Sequence, residues 1–373
     1  MPAGSYPKAR LGHAPGAGYS ARPHVGGVGA GIQRFPHELS LSGLDDSLAR
    51  LAERYRRFAA DEAHGVSPHY ERLAEDIAAS ADVLRFLIAL PPPRRQPNLL
   101  FAAATLIAGR PPDITSLTEM VARRADELRA TMLARTTQTN EPARCAVLLP
   151  LMAALPQPLA LIEVGASAGL CLLPDRYGYD WGHTRLVPPT PDAPVFRCAV
   201  TGPAPLPMAL PRVVWRAGLD LNPLDVASHE DTAWLEALIW PEQDERRRNL
   251  RAALAVARRD PPRVVPGDLL HDLEPLMEEA PAEATLVVFH TAVLAYVTPP
   301  EARQRFVDTV RGSRAVWISN ETPRVFPDIA ARASEPAPHW RFLLAVDGEP
   351  KAWTGPHGQS LQWLSGRQLN EDH

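Results

Sequence analysis

The stretch Leu159-Ala-Leu-Ile-Glu-Val164-Gly-Ala-Ser-Ala-Gly169 constrains this chain more than any other. A short apolar run broken by a single acid reads as a buried strand. Gly165 and Gly169 follow it, so the backbone can turn sharply there and a ligand can approach with no Cβ in the way. The pattern predicts a helix starting near Ser167, whose free amides and positive dipole end face whatever sits on the turn. Glu163, at the carboxyl end of the strand, can accept hydrogen bonds from a cationic or hydroxyl-bearing ligand. A tight strand-to-helix connection with no ligand uses the same glycines, so other segments must decide.

The texture of the chain changes beside this turn. Residues 1–35 are rich in Gly, Pro and Ala without apolar periodicity and read as a flexible tail. Residues 36–157 read as a helical domain or lid. Leu44, Leu48, Leu51, Tyr55 and Phe58 form one stripe, and Leu73, Ile77, Leu84 and Ile88 a second. Further helices are expected over 97–109, 115–134 and 141–155. Residues 158–373 read as a sheet domain: the runs 159–164, 213–221, 263–265, 285–290 and 315–319 alternate with helical stretches, the rhythm of a parallel sheet with crossover helices. Residues 342–346, Asp347-Gly348 and 350–353 then read as a hairpin with a tight turn.

Composition narrows the function classes. With 45% hydrophobic residues and a net charge of −4, the chain has a full core and no basic stripe to recruit nucleic acid. Three widely spaced cysteines are neither a disulfide framework nor a zinc pattern, and suit a reducing cytoplasm. No signal-peptide run opens the chain and no apolar stretch reaches the ~18 residues of a membrane span, so a cytoplasmic protein with a small-molecule partner is expected, its oligomeric state open.

Three later strands also end in polar groups. Asp220 closes the second strong run, where a nucleotide-binding sheet places the acid that receives ribose hydroxyls; Asp225 reads as the cap of the helix after Pro223. The gap of roughly 50 residues from the glycine turn, against ~20 in dinucleotide sites, requires an insertion. Asp268 follows the third run and can accept from an adenine amino group or simply form a turn. His290 ends the fourth and leads to Thr291 and Tyr296; it is a candidate base or a satisfied core histidine.

With those segments placed, residues 158–365 resemble class I S-adenosylmethionine-dependent methyltransferases. Glu163-x-Gly165-x-Ser167-x-Gly169 is similar to that family's first motif, with Ser167 in place of the middle glycine. Asp220 stands at the ribose-binding acid and Asp268 at the adenine-contacting acid. The resemblance implies a Rossmann-like, mostly parallel sheet with a C-terminal antiparallel hairpin. It implies S-adenosylmethionine as cofactor, held by Glu163, Gly165, Ser167, Gly169, Asp220, Asn222 and Asp268. His290 and Tyr296 are then the candidates for base or substrate positioning.

Nearly the whole chain from about residue 40 also resembles a bacterial family named only as a domain of unknown function, DUF2332. The strings that carry this are RTTQTNEPARC (135–145), LIEVGASAGLCLLPDRYGYDWG (161–182), WRAGLDLNPLDV (215–226), GDLL (267–270), VVFHTAVLAYV (287–297), WISNE (317–321) and GPHGQSLQWL (355–364). Cys171 stands where that family is expected to carry Asn more often. The likeness highlights Gln138, Thr139, Asn140, Glu141 and Arg144 as a lid, of which Thr139 or Asn140 can cap the helix beginning near Pro142. Asp175, Arg176, Tyr177, Tyr179, Asp180 and Trp181 lie in the insertion as candidate substrate contacts, Tyr179 and Trp181 equally as core plugs; His357 joins the lid group.

Two other functions fit the sequence. Gly165-Ala-Ser167-Ala-Gly169 matches the G-x-S-x-G nucleophile elbow, so a serine hydrolase would use Ser167 with Asp268 and His290 or His357. No HGGG-like oxyanion loop precedes it, and the acids at 163 and 220 have no role in that scheme. A non-catalytic binding or regulatory protein on the same fold is the third reading.

Overall fold

The computed structural model describes residues 41–338 and 341–365, with side chains from Asp45 onward; the tail read at 1–35 lies outside the described residues. Strands form at β1 (Leu159–Val164), β2 (Gly178–Asp180), β3 (Arg185–Leu186), β4 (Val195–Arg197), β5 (Ala199–Thr201) and β6 (Val213–Asp220). They continue with β7 (Val264–Pro266), β8 (Thr285–Thr291), β9 (Val316–Glu321), β10 (Phe342–Val346), β11 (Glu349–Thr354) and β12 (Ser360–Trp363). Nine of them make one sheet in the order β7-β6-β1-β8-β9-β10-β11-β12-β5.

From β7 to β9 every pairing is parallel. β10 is antiparallel to both β9 and β11, and Asp347 and Gly348 turn the hairpin between them with φ +50° and +82°. The expected hairpin is therefore present, in a mixed α/β fold whose sheet is mostly parallel. The chain steps outward from β1 to β6 and β7, then returns to place β8 on the other side of β1. Strand order reverses between β1 and β8, and open α/β sheets bind ligands in the crevice at the carboxyl ends of such a pair.

Side chains alternate across the sheet with a period of two. Leu161, Phe289, Ile318 and Leu344 face one side, Ile162, Val288, Trp317 and Leu343 the other. The first side shares an apolar core with the N-terminal helices, including Pro97–Ala108 and Cys145–Ala154, and with the helices His229–Ala237 and Asp244–Arg259. The second is covered by Leu273–Glu278, Pro300–Arg311 and Pro327–Ala330. The described residues from Asp45 onward form one compact unit. Among the described residues no helix is long and apolar enough to cross a membrane.

The helix expected from Ser167 does not form. Short 3₁₀ turns, Leu170–Leu172 and Pro174–Arg176, stand in its place. The carbonyls that a helix would bond internally are taken by side chains. Tyr177 Oη donates to Leu170 O at 2.9 Å, Arg216 Nη1 to Leu172 O at 2.7 Å, and Tyr179 Oη to Pro174 O at 2.7 Å. The helix Cys145–Ala154, buried from Cys145 to Met152, packs into the same core; a helix apolar all round is stable only when covered on every side.

Other boundaries shift for local reasons. The helix expected over 115–134 breaks at Arg124, and the stripe from Leu73 to Ile88 divides at Ser80, whose hydroxyl caps the second piece. Asp225 does not cap a helix after Pro223: it accepts from Ala227 N at 2.8 Å in a turn, and Ser228 caps the helix from His229. The insertion between β1 and β6 folds as a small sheet, β3-β2-β4, and sends β5 to the edge beside β12.

Candidate functional site

Three residues of the glycine turn adopt the left-handed conformation: Gly165 (φ +73°), Ser167 (+53°) and Gly169 (+71°). Such a path aims successive amides at neighbouring acceptors. Gly165 N reaches Leu219 O at 2.8 Å and Ser167 N reaches Asp220 Oδ2 at 2.8 Å. Asp220 Oδ1 accepts from Asn222 N at 2.8 Å and from Gln138 Nε2 at 3.1 Å; the same Gln138 nitrogen reaches Asn222 O at 2.8 Å. The two strand ends picked out in the sequence therefore meet, and Gln138 closes over them.

The glycines also answer to protein neighbours. A Cβ on Gly165 would lie 2.3 Å from Val293 Cγ2, and one on Gly169 would lie 2.8 Å from Pro262 Cγ. Val293 thus fills the approach that the sequence suggested for a ligand. Asn140 Oδ1 accepts from Leu170 N at 3.0 Å, holding the turn's exit rather than capping its own helix; the side chain that accepts at that helix start is Glu141, from Ala143 N at 3.3 Å.

Beyond the turn, polar groups collect at the ends of β1, β8 and β9 on the face covered by the N-terminal helices. Glu163 is buried with Oε2 unpartnered. Burial first, then the Cys171 thiol, pushes its carboxyl well above the usual range, with Arg144 opposing, so the protonated form is favoured. Arg144 donates through Nη1 to Thr291 O at 3.1 Å and Thr291 Oγ1 at 3.2 Å, and through Nε to Pro356 O at 2.9 Å. Burial lowers the guanidinium's proton affinity. Glu141 Oε2 pairs with Arg246 Nε at 2.6 Å, and His357 Nδ1 lies 3.8 Å from the same oxygen. Burial, with the Arg246 and Arg144 charges beside it, drives the His357 pKa down to about 2 and keeps its ring neutral.

His290 sits on the opposite face with both ring nitrogens engaged. Trp317 Nε1 can only donate, and it reaches His290 Nε2 at 3.0 Å; the ring proton therefore lies on Nδ1, which donates to Glu321 Oε1 at 2.8 Å. Phe306, Trp317 and Phe326 surround the ring. The same Glu321 oxygen accepts from Val293 N at 2.9 Å and Leu294 N at 3.1 Å. His290 is thus placed as a core histidine that orients Glu321, which holds the loop carrying Val293. Tyr296, on that loop, is 70% exposed.

The remaining candidates divide. Asp268 forms a turn, accepting from Leu270 N at 2.7 Å, and lies beside His271. Tyr179 and Trp181 are buried, stacked at 5.3 Å, with Trp181 Nε1 donating to Ala146 O at 3.0 Å; they plug the core rather than line a site. Tyr177 is buried too, and Asp175 is held by Arg216 at 2.8 and 2.9 Å. Arg176 and Asp180 make partly exposed ion pairs with Asp260 and Arg185, and Thr139 is exposed. Cys171 Sγ contacts Glu141 O at 3.3 Å. Asn320, Glu321 and Val293 were not picked out from sequence. Asn320-Glu321 carried the same signal as Glu163 and Asp220, polar residues ending a buried strand.

The match to known families covers residues 52–363 and is to the model described as "Uncharacterized protein conserved in bacteria (DUF2332)", so the chain belongs to the DUF2332 family. No curated protein and no solved structure matches it significantly.

Proposed function

We propose that this member of the DUF2332 family binds S-adenosylmethionine and methylates a small molecule. The supporting observation is the meeting of Asp220 with the β1 turn, where the acid lies 2.8 Å from the Ser167 amide beside the reversal of strand order. Acids at that position receive ribose hydroxyls in nucleotide-binding sheets. Gln138 Nε2 now donates to Asp220 Oδ1, as a ribose hydroxyl would, so the Gln138 side chain is the group that yields to ligand. Asp220 and Asn222 fit the adenosyl group on this account. Bound there, the cofactor supplies a sulfonium methyl group activated for transfer.

The chain's own task is then alignment and water exclusion, which methyl transfer chiefly needs. Arg144, Glu163 and Thr291 lie on the β1–β8 side and are placed to hold an acceptor. His290 positions Glu321 and the Val293 loop, leaving Tyr296 on that loop, its phenol proton retained because desolvation raises its pKa, as a candidate to position the acceptor. The hydrolase alternative has less support: Ser167 Oγ is buried without a hydrogen-bond partner, and the His290 nitrogens are engaged elsewhere.

Titration calorimetry with S-adenosylmethionine and S-adenosylhomocysteine tests the reading. The wild type binds both, and Asp220→Ala binds about tenfold to a hundredfold more weakly, as loss of hydrogen bonds to a charged group implies. Absence of wild-type binding at millimolar ligand rejects the cofactor. Binding without turnover of any offered acceptor favours a regulatory protein.

A further inference from the structure

Arg144 is a buried guanidinium, 6% exposed, whose hydrogen bonds all go to neutral oxygens: Pro356 O, Thr291 O and Thr291 Oγ1. Among the described residues it makes no ion pair. Glu141 and Glu321 act on it through space, but the first is bonded to Arg246 and the second to His290 and two backbone amides. Burying a cation whose direct partners are all neutral is expensive, and such sites are commonly completed by an anion.

Two buried polar atoms on the same face of the sheet have no hydrogen-bond partner, Asn320 Nδ2 and Glu163 Oε2. Thr291 and Asn320 are register neighbours, so their side chains project side by side on the Arg144 face. Thr354 Oγ1 donates to Asn320 Oδ1 at 2.7 Å, which leaves Asn320 Nδ2 buried with no acceptor. Glu163 lies across from Phe289, on the same face two positions before Thr291, with its own Oε2 unpartnered. The Phe342 ring, its centroid 5.7 Å from Arg144 Cζ, helps to orient the guanidinium plane. The loop 355–358 borders Arg144 through Pro356 O, and Gly358 packs so tightly that a Cβ there would meet Ala143 O at 2.1 Å.

We propose that Arg144, Asn320 and Glu163 form a subsite for the carboxylate of a small organic acid. A planar guanidinium and a primary amide match the two oxygens of a carboxylate, and one fixed cation matches a monoanion better than a phosphate dianion. The carboxyl of Glu163, in its protonated form, adds a further donor. The subsite depends on no bound cofactor, so it stands or falls apart from the methyl-transfer reading.

The probes are ¹³C-labelled formate and acetate, with inorganic phosphate as comparator, observed by ligand line broadening on cofactor-free protein at tens of millimolar ligand. Wild type broadens the carboxylate signals and phosphate does not compete. Arg144→Lys and Asn320→Asp each reduce carboxylate affinity by about tenfold or more, the first by removing the planar fork and the second by placing an acid against the ligand. Circular dichroism checks the fold of both, and Asn320→Asp, close to isosteric, carries the test if Arg144→Lys unfolds. No broadening with wild type, tighter binding of phosphate, or unchanged binding in both variants each overturns the subsite.

Discussion

Gly165→Ala tests whether the turn is built around Val293. The new methyl meets two separable costs. The left-handed φ of +73° disfavours any residue with a Cβ, at about 1–2 kcal/mol. The Cβ would also lie 2.3 Å from Val293 Cγ2 and 2.7 Å from Val293 Cβ. Valine is stiff at χ1, so it cannot swing clear, and overpacking of this kind costs about 1–3 kcal/mol. The sum is roughly 2–5 kcal/mol. Val293→Gly in the same chain removes the Cβ and Cγ contacts together and leaves the dihedral cost, so the double-mutant cycle should show a coupling of about 1–3 kcal/mol with the residual near 1–2. Urea unfolding followed by tryptophan fluorescence and by far-ultraviolet circular dichroism measures this, with coincident transitions as the check on two-state behaviour. A Gly165→Ala variant within about 0.5 kcal/mol of wild type, or strictly additive substitutions, would refute the reasoning.

The remaining tests concern Glu163 and Glu321. Because the folded-state pKa of Glu163 is raised, its contribution to stability is fully present below the unfolded value and is lost as pH rises through the folded one. Glu163→Gln should therefore gain stability relative to wild type as pH climbs above about 4.5, and parallel urea midpoints across that range would contradict the assignment. Glu321→Gln weakens three hydrogen bonds on one oxygen. Amide exchange at Val293 and Leu294 should speed by about tenfold to a hundredfold while the β1 amides stay protected, and unchanged exchange at those two positions would show that Glu321 does not hold the loop.

Much of the fold is legible because its signals are local. β1 and β10 run over the residues their apolar runs mark, Leu159–Val164 and Phe342–Val346, and the Asp347-Gly348 turn follows from two residues that tolerate positive φ. β2, β3, β4, β5 and β12 escape a sequence reading because short strands carry too few residues for a period of two to show. The missing helix after the glycine turn escapes for another reason. Its carbonyls are claimed by Tyr177, Tyr179 and Arg216, the last of which lies on β6, and local propensity contains no record of such competition.

The site divides in the same way. Taken alone, the sequence determined which strand ends carry acids and that the β1 turn needs residues able to take positive φ, since both follow from neighbours along the chain. Only the tertiary structure decided what each polar group faces. His290 is locked between Trp317 and Glu321, while Arg144 is buried against neutral oxygens. Tyr179 and Trp181 are sealed in the core, and Val293 is pressed onto Gly165. Those contacts join residues tens to hundreds of positions apart, and their energies exist only once packing has excluded water and fixed the partners.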